Sequence, residues 1–172
     1  MAIPSTLNES SDWRTVDREV SKFGDADGWT EGDLLAACDC IELWRKRAGE
    51  GLFNFQAVVW TLGESFRRIL KRNKQLKQSR LFFNKVESIC LDEQLGKGRE
   101  SFTMLLGQYG GISCIPILIR LLDDSDLAGH AVYSLRLLKA TEAADKVRPY
   151  LESPKTWVRN EARKFFQKIE QV

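Results

Sequence analysis

Residues 115–138, IPILIRLLDDSDLAGHAVYSLRLL, carry the reading that decides the fold. The first part is a helix with Pro116 in its first turn, where a missing N–H costs nothing. Asp123 and Asp124 stop it. A second helix follows from Leu127. Residues 147–169, VRPYLESPKTWVRNEARKFFQKI, repeat this plan. Leu122-Asp123-Asp124-Ser125 overlays Leu151-Glu152-Ser153-Pro154. In the next helix Leu127 overlays Val158, Ala131 overlays Ala162, Leu135 overlays Phe166 and Leu138 overlays Ile169. A fixed period near 30 residues predicts stacked helical hairpins.

The rest of the chain is helical as well. Trp13, Val16, Val20 and Phe23 predict a short helix over 12–23, ended by Gly24 and Gly28. Thr30 with Asp33 is a capping-box start. Leu34, Ala37, Cys38, Ile41 and Trp44 form the stripe that follows, with Gly49 and Gly51 as its stop. Phe55, Val59, Leu62, Phe66 and Ile69 give one face of a helix over 53–73. Phe82, Phe83, Val86, Ile89 and Cys90 continue over 76–94, and Gly96-Lys97-Gly98 breaks the chain. Thr141 opens a helix in which Pro149 forces a bend or an early finish. Ser153 is expected to cap the last helix, with Pro154 at its first position. No alternating pattern marks a strand. Trp44 and Trp60 are expected in the core, and Trp29 sits in a turn. The first ten residues read as a loose tail.

Three stretches resemble the HEAT repeat family, in its short phycobilisome-lyase-like form. They are Leu105-Leu106-Gly107-Gln108-Tyr109-Gly110, Ile115 to Asp124, and Val158-Arg159-Asn160-Glu161-Ala162. The resemblance covers about residues 99–170. Leu127-Ala128-Gly129 departs from the V-R-x opening, so the first copy lacks the interhelix arginine. It implies an all-α fold, an α-α superhelix of antiparallel helix pairs. Residues 12–95 would form irregular or degenerate repeats in the same single domain. Such arrays mostly bind other macromolecules through their inner helices.

The 172 residues are 43% hydrophobic and 29% charged, enough to bury a core. No apolar run reaches the length of a membrane span. The N-terminus does not read as a secretion signal. Cys38, Cys40, Cys90 and Cys114 lack zinc-knuckle spacing, and the C-x-C thiols point about 200° apart on a helix. They read as small buried hydrophobes in a reducing cytoplasm. His130 is the only histidine; most triads and zinc sites need at least one and many need several, and inside a helical segment this one reads as a packed or surface imidazole. Asp25-Ala-Asp-Gly-Trp fails as a calcium loop, because Phe23 and Leu34 fall at ligand positions. The expectation is a non-enzyme with no cofactor and no metal.

Charge is polarised. Residues 1–50 hold 11 acidic and 6 basic side chains; residues 51–90 hold 2 and 8. The basic block is Arg67, Arg68, Lys71, Arg72, Lys74, Lys77, Arg80 and Lys85. It could contact an acidic protein, contact phosphates, or simply form a solvated face neutralised by the acidic N-terminal third. Partner contacts are expected at Arg67, Arg68, Lys71, Arg72, Lys74, Lys77 and Arg80, and on inner helices at Arg120, Lys146, Arg148 and Tyr150. The leading expectation is a protein-binding module with an acidic partner. By analogy with bacterial immunity proteins, it would block a toxin or nuclease. The alternative is nucleic-acid binding, as in helical-repeat DNA glycosylases, through the basic 67–85 face. A hydrolase or lyase hidden in the N-terminal half is the third reading.

Overall fold

The computed structural model describes residues 12–47 and 54–170. The expected N-terminal tail and the glycine stop at Gly49 and Gly51 lie outside these residues. The fold is all-α, and no strand occurs among the described residues. The chain divides into two compact units, Met1–Phe102 and Thr103–Val172.

The first unit contains α1 (Trp13–Phe23), α2 (Glu31–Lys46), α3 (Phe55–Arg72), α4 (Arg80–Leu91) and the start of α5 (Glu100–Leu105). Each of the first four helices opens on a side-chain cap. Asp12 accepts from Arg14 N–H, Asn54 from Ala57 N–H and Ser79 from Phe82 N–H. Thr30 and Asp33 form the full capping box, with Asp33 N–H donating to Thr30 Oγ1 and Thr30 N–H to Asp33. Ser79 explains why the expected helix over 76–94 is shorter. Asn73 Oδ1 takes the N–H groups of Gln75 and Leu76 in a turn, Leu76–Gln78 makes one tight turn, and α4 starts afresh.

Alternate helices run parallel. From α1 to α3, Thr61 Oγ1 donates to Asp17, Ser65 Oγ to Val20 O at 2.7 Å and Arg72 to Gly24 O at 2.8 Å. The contacts advance in the same direction along both helices. From α2 to α4, Ser79 reaches Glu31, Lys85 pairs with Asp39 at 2.9 Å, and Arg45 pairs with Asp92. Beyond α3, Gly98 meets Val59 and Ser101 meets Gly63, again in parallel. The hydrogen-bonded partners across these two pairs are 44 to 49 residues apart. Phe66 is fully buried at the centre of the unit, with the Phe23, Phe82 and Phe102 rings 5.0–6.2 Å away.

The second unit contains the end of α5, a wide π-helical turn (Leu106–Gly110), α6 (Ile115–Arg120), α7 (Ala128–Leu138), α8 (Ala144–Val147) and α9 (Thr156–Ile169). Tight 3-10 turns link them. Here too the contacts advance in parallel from α7 to α9: Gly129 lies against Trp157 and Val158, and Arg136 pairs with Glu161 at 2.8 Å. Leu127, Ala131, Val158 and Ala162, overlaid in sequence, are all buried. Phe165 rather than Phe166 is the buried partner of the last turn. Pro149 falls where α8 tightens into the 3-10 turn Arg148–Glu152, the early finish that proline requires.

Thr141 opens its helix as expected, through a 3-10 turn, Thr141–Ala143. Two expectations are corrected. The last helix begins at Thr156, not at Pro154. Arg159 donates to Ser153 O at 2.6 Å and Pro154 O at 3.1 Å, so its guanidinium holds these residues as the preceding turn. Trp60 is 40% exposed, outside the core.

Candidate functional site

Arg68 and Arg72 project from the last two turns of α3 onto the C-terminal end of α1. Arg68 donates to Ser21 O and pairs with Asp25 at 3.1 Å. Arg72 donates to Gly24 O and to Ala26 O at 2.9 Å, and pairs with Asp27 at 3.4 Å. One of these carbonyls is in the last turn of α1 and two lie just beyond it, where the helix dipole favours cations. Both arginines are engaged within the unit. Arg67 pairs with Glu64 on its own helix at 3.3 Å, and Arg80 with Glu87 at 3.7 Å. Hydrogen bonding to Asp39 holds the Lys85 ammonium above its ordinary pKa. The acidic N-terminal third therefore neutralises much of the basic block, through Asp25, Asp27 and Asp39.

What this pairing leaves is narrower than the block. Lys71 and Lys74 are exposed and carry no ion pair among the described residues. Lys77 and Arg80 follow in the turn and at the start of α4. Between them and Lys85 stands Leu81, 62% exposed. Lys85 follows it one turn later on α4 and Arg80 adjoins it in the chain, while Lys77 lies in the separate turn before the helix. Asn84, Ser88 and Leu91 continue that face of α4, and Leu43 on the parallel helix α2 is also exposed. Sequence reading found the cations and missed the leucines. Leu81 stands beside Phe82 and Phe83 in an apolar run; only the phase of the helix separates it from them.

Trp29 is not exposed. Gly28, at φ +81°, turns the chain back so that the indole packs on Phe23 at 3.9 Å and donates to Ala26 O at 2.9 Å. Clefts of about 470 and 420 Å³ flank it, one lined by Arg72 and Lys74, the other by Glu31 and Ser79.

The second unit holds the other expected contacts. Arg120, Lys146 and Arg148 are exposed. The Arg148 guanidinium lies 5.3 Å from the centre of the Phe166 ring and 4.0 Å from Asp145. Tyr150 is half-buried, and its hydroxyl donates to Leu122 O. Burial, then the charge of Asp123, pushes the Tyr150 phenol above its ordinary pKa.

The groups with nucleophilic chemistry are structural in their surroundings. All four cysteines are buried thiols. Burial pushes the Cys38 thiol well up, and burial with Asp39 does the same for Cys40. His130 packs against the exposed Trp157 with ring centres 5.0 Å apart. Burial, then the charge of Lys155, lowers its pKa. No group of three His, Cys, Asp or Glu that could hold a metal ion occurs among the described residues. No described helix is long and apolar enough to cross a membrane. Comparison with family models, curated proteins and solved structures gave no match.

Proposed function

We propose that this chain is a non-catalytic protein-binding module, a HEAT-like array of helix pairs that docks an acidic partner. The docking surface is the exposed face of α4 with the turn that precedes it. One observation carries the reading: Leu81 stands 62% exposed on α4, in a stretch of chain rich in cations. An exposed apolar side chain on a basic segment favours a partner that offers an apolar pocket with carboxylates nearby. Burying such a leucine stabilises a complex by about 1.5–3 kcal/mol. Lys71 and Lys74 add steering charge. In its most specific form the module is a cytoplasmic inhibitor of the immunity-protein kind, covering a toxin or nuclease. Nucleic acid is less well served. Glu64 stands between Trp60 and Arg67 on α3, where a phosphate would meet a carboxylate.

The test uses the full chain as bait, with partners identified by mass spectrometry and their affinity measured after purification. Leu81→Ser and Lys71→Glu/Lys74→Glu alter exposed positions only. The partner should carry an acidic surface, bind more weakly at higher salt and lose at least tenfold in affinity with either variant. Affinity unchanged in both variants would refute this surface. A salt-sensitive gel shift with nucleic acid, abolished by the lysine reversal, would favour the alternative.

A further inference from the structure

The second unit has a cleft of about 480 Å³ that the proposed docking face does not use. Leu122, Ala128 and Val158 give it an apolar floor, and Tyr150 forms a wall. The hydrogen bond from the Tyr150 hydroxyl to Leu122 O fixes that ring in place. Asp123 lies on the rim, exposed, with no ion pair among the described residues. The neighbouring Asp124 organises the turn before α7, its Oδ1 accepting from Asp126 N–H at 2.9 Å and Leu127 N–H at 3.3 Å. Lys155 occupies the rim as well. One carboxylate, one ammonium and one aromatic ring thus line the cleft.

We propose that this cleft receives an arginine or lysine side chain presented by a protein segment. The alkyl stem would lie on Leu122, Ala128 and Val158, with the cation between the Asp123 carboxylate and the Tyr150 ring. The volume is within the range of small-ligand sites, and the fixed tyrosine makes the wall preformed. A protein source is favoured over a free small molecule by Trp157, which is 43% exposed and packs over Gly129 of the same cleft. An exposed tryptophan beside a pocket is the usual anchor of a protein interface. This assignment is independent of the α4 face, which belongs to the other compact unit.

The experiment is an NMR titration of the full chain, following the amides of Ser125, Gly129 and Lys155. The probes are n-butylguanidinium, its neutral isostere n-butylurea, and a tripeptide with a central arginine blocked at both ends. The cation and the peptide should give saturable shifts with dissociation constants of about 1 mM or tighter. Butylurea should give none. Asp123→Asn should weaken both by about tenfold, and Lys155→Gln should tighten both a few-fold. The amide spectrum itself reports whether each variant is folded. Equal binding of butylurea, insensitivity to Asp123→Asn, or absence of saturation would overturn the site. Binding of the free cation without the peptide would overturn the protein source.

Discussion

Replacing Gly63 by alanine puts a methyl group into the seam where α3 meets the start of α5. The new Cβ would stand 2.1 Å from Ser101 Oγ and 2.8 Å from Ser101 Cβ, far inside van der Waals contact. Gly63 lies inside α3, so alanine gains about 0.8–1.0 kcal/mol of helix propensity. Overpacking costs about 1–3 kcal/mol in a well-packed core. At 2.1 Å the upper end applies, since Ser101 is fully buried and has nowhere to turn. The net loss is about 2 kcal/mol. Adding Ser101→Gly removes both offending atoms and leaves Phe102 Cδ2 at 3.1 Å as the nearest neighbour. The double variant should therefore return to within about 1 kcal/mol of the parent: the helix gain at position 63 offsets the cost of the new glycine, and what remains is the lost bond from Ser101 Oγ to Gly98 O. Gly107 gives the contrasting case. Its added Cβ would stand 2.5 Å from Ser134 Cα, which is backbone, so Ser134→Gly cannot relieve Gly107→Ala. That second change also deletes the bond from Ser134 Oγ to Thr103 O at 2.9 Å. Urea unfolding followed by far-UV circular dichroism measures all four variants. A Gly63→Ala protein as stable as the parent would refute the close-approach argument. So would rescue at Gly107 or failure of rescue at Gly63.

Glu161→Gln should cost about 1–2 kcal/mol by urea unfolding. Burial works against this carboxylate, but Lys164 and Arg136 at 2.8 Å hold its pKa below the ordinary value. Its contribution is present above the unfolded pKa and disappears as pH falls through the lower folded one, so the parent and variant curves should converge in acid. Thr30→Ala removes the Oγ1 half of the capping box on α2, leaving the backbone N–H bond to Asp33, and should cost about 1 kcal/mol. His130 has the opposite origin of pH dependence. Its folded pKa is lowered by burial and by Lys155, so below about 6.5 the unfolded chain takes up a proton that the folded chain refuses. Stability should be level above that pH and decline beneath it. His130→Gln should flatten the decline between about pH 7 and 5.5; an unchanged slope would refute the assignment.

Helix by helix, the apolar stripes were readable. Val16, Val20 and Phe23, then Leu34, Ala37, Cys38, Ile41 and Trp44, then Phe55, Val59, Leu62, Phe66 and Ile69 are all buried. A 3.6-residue period is local information, and these helices have it. The tryptophans were read less well, because size suggests burial while position decides it. Trp60 follows Val59 directly and so points about 100° away from the stripe. Trp29 is buried by a tertiary event, the reversal at Gly28 onto Phe23. The start of α9 moved from Pro154 to Thr156: Ser153 Oγ accepts the Lys155 N–H within the turn, and the Arg159 guanidinium holds the Ser153 and Pro154 carbonyls there. Nothing in a cap motif announces a guanidinium arriving from Arg159.

The basic surface was legible as a count and illegible as geometry, for one physical reason. Its partners lie across parallel helices, at separations no local pattern reveals: Arg68 with Asp25, Arg72 with Asp27, Lys85 with Asp39. In the first unit the hydrogen bonds between alternate helices recur 44 to 49 residues apart; in the second, Arg136 to Glu161 spans 25 and Tyr150 to Leu122 spans 28. The shorter period is carried by like residues in like places, Leu127 with Val158 and Ala131 with Ala162, and overlaying the chain on itself exposes it. The longer one is carried by complementary residues, acid facing base and hydroxyl facing carboxylate. Self-comparison is blind to complementarity: a carboxylate and the guanidinium that completes it never align as similar. Sliding the first hundred residues past themselves and scoring opposite charges would have found the 43-to-46-residue spacing of those three pairs. It would not have singled out Lys71 and Lys74, which stand 43 to 46 residues after Asp25, Asp27 and Glu31 as well; only the folded geometry leaves those two cations for the proposed partner to answer.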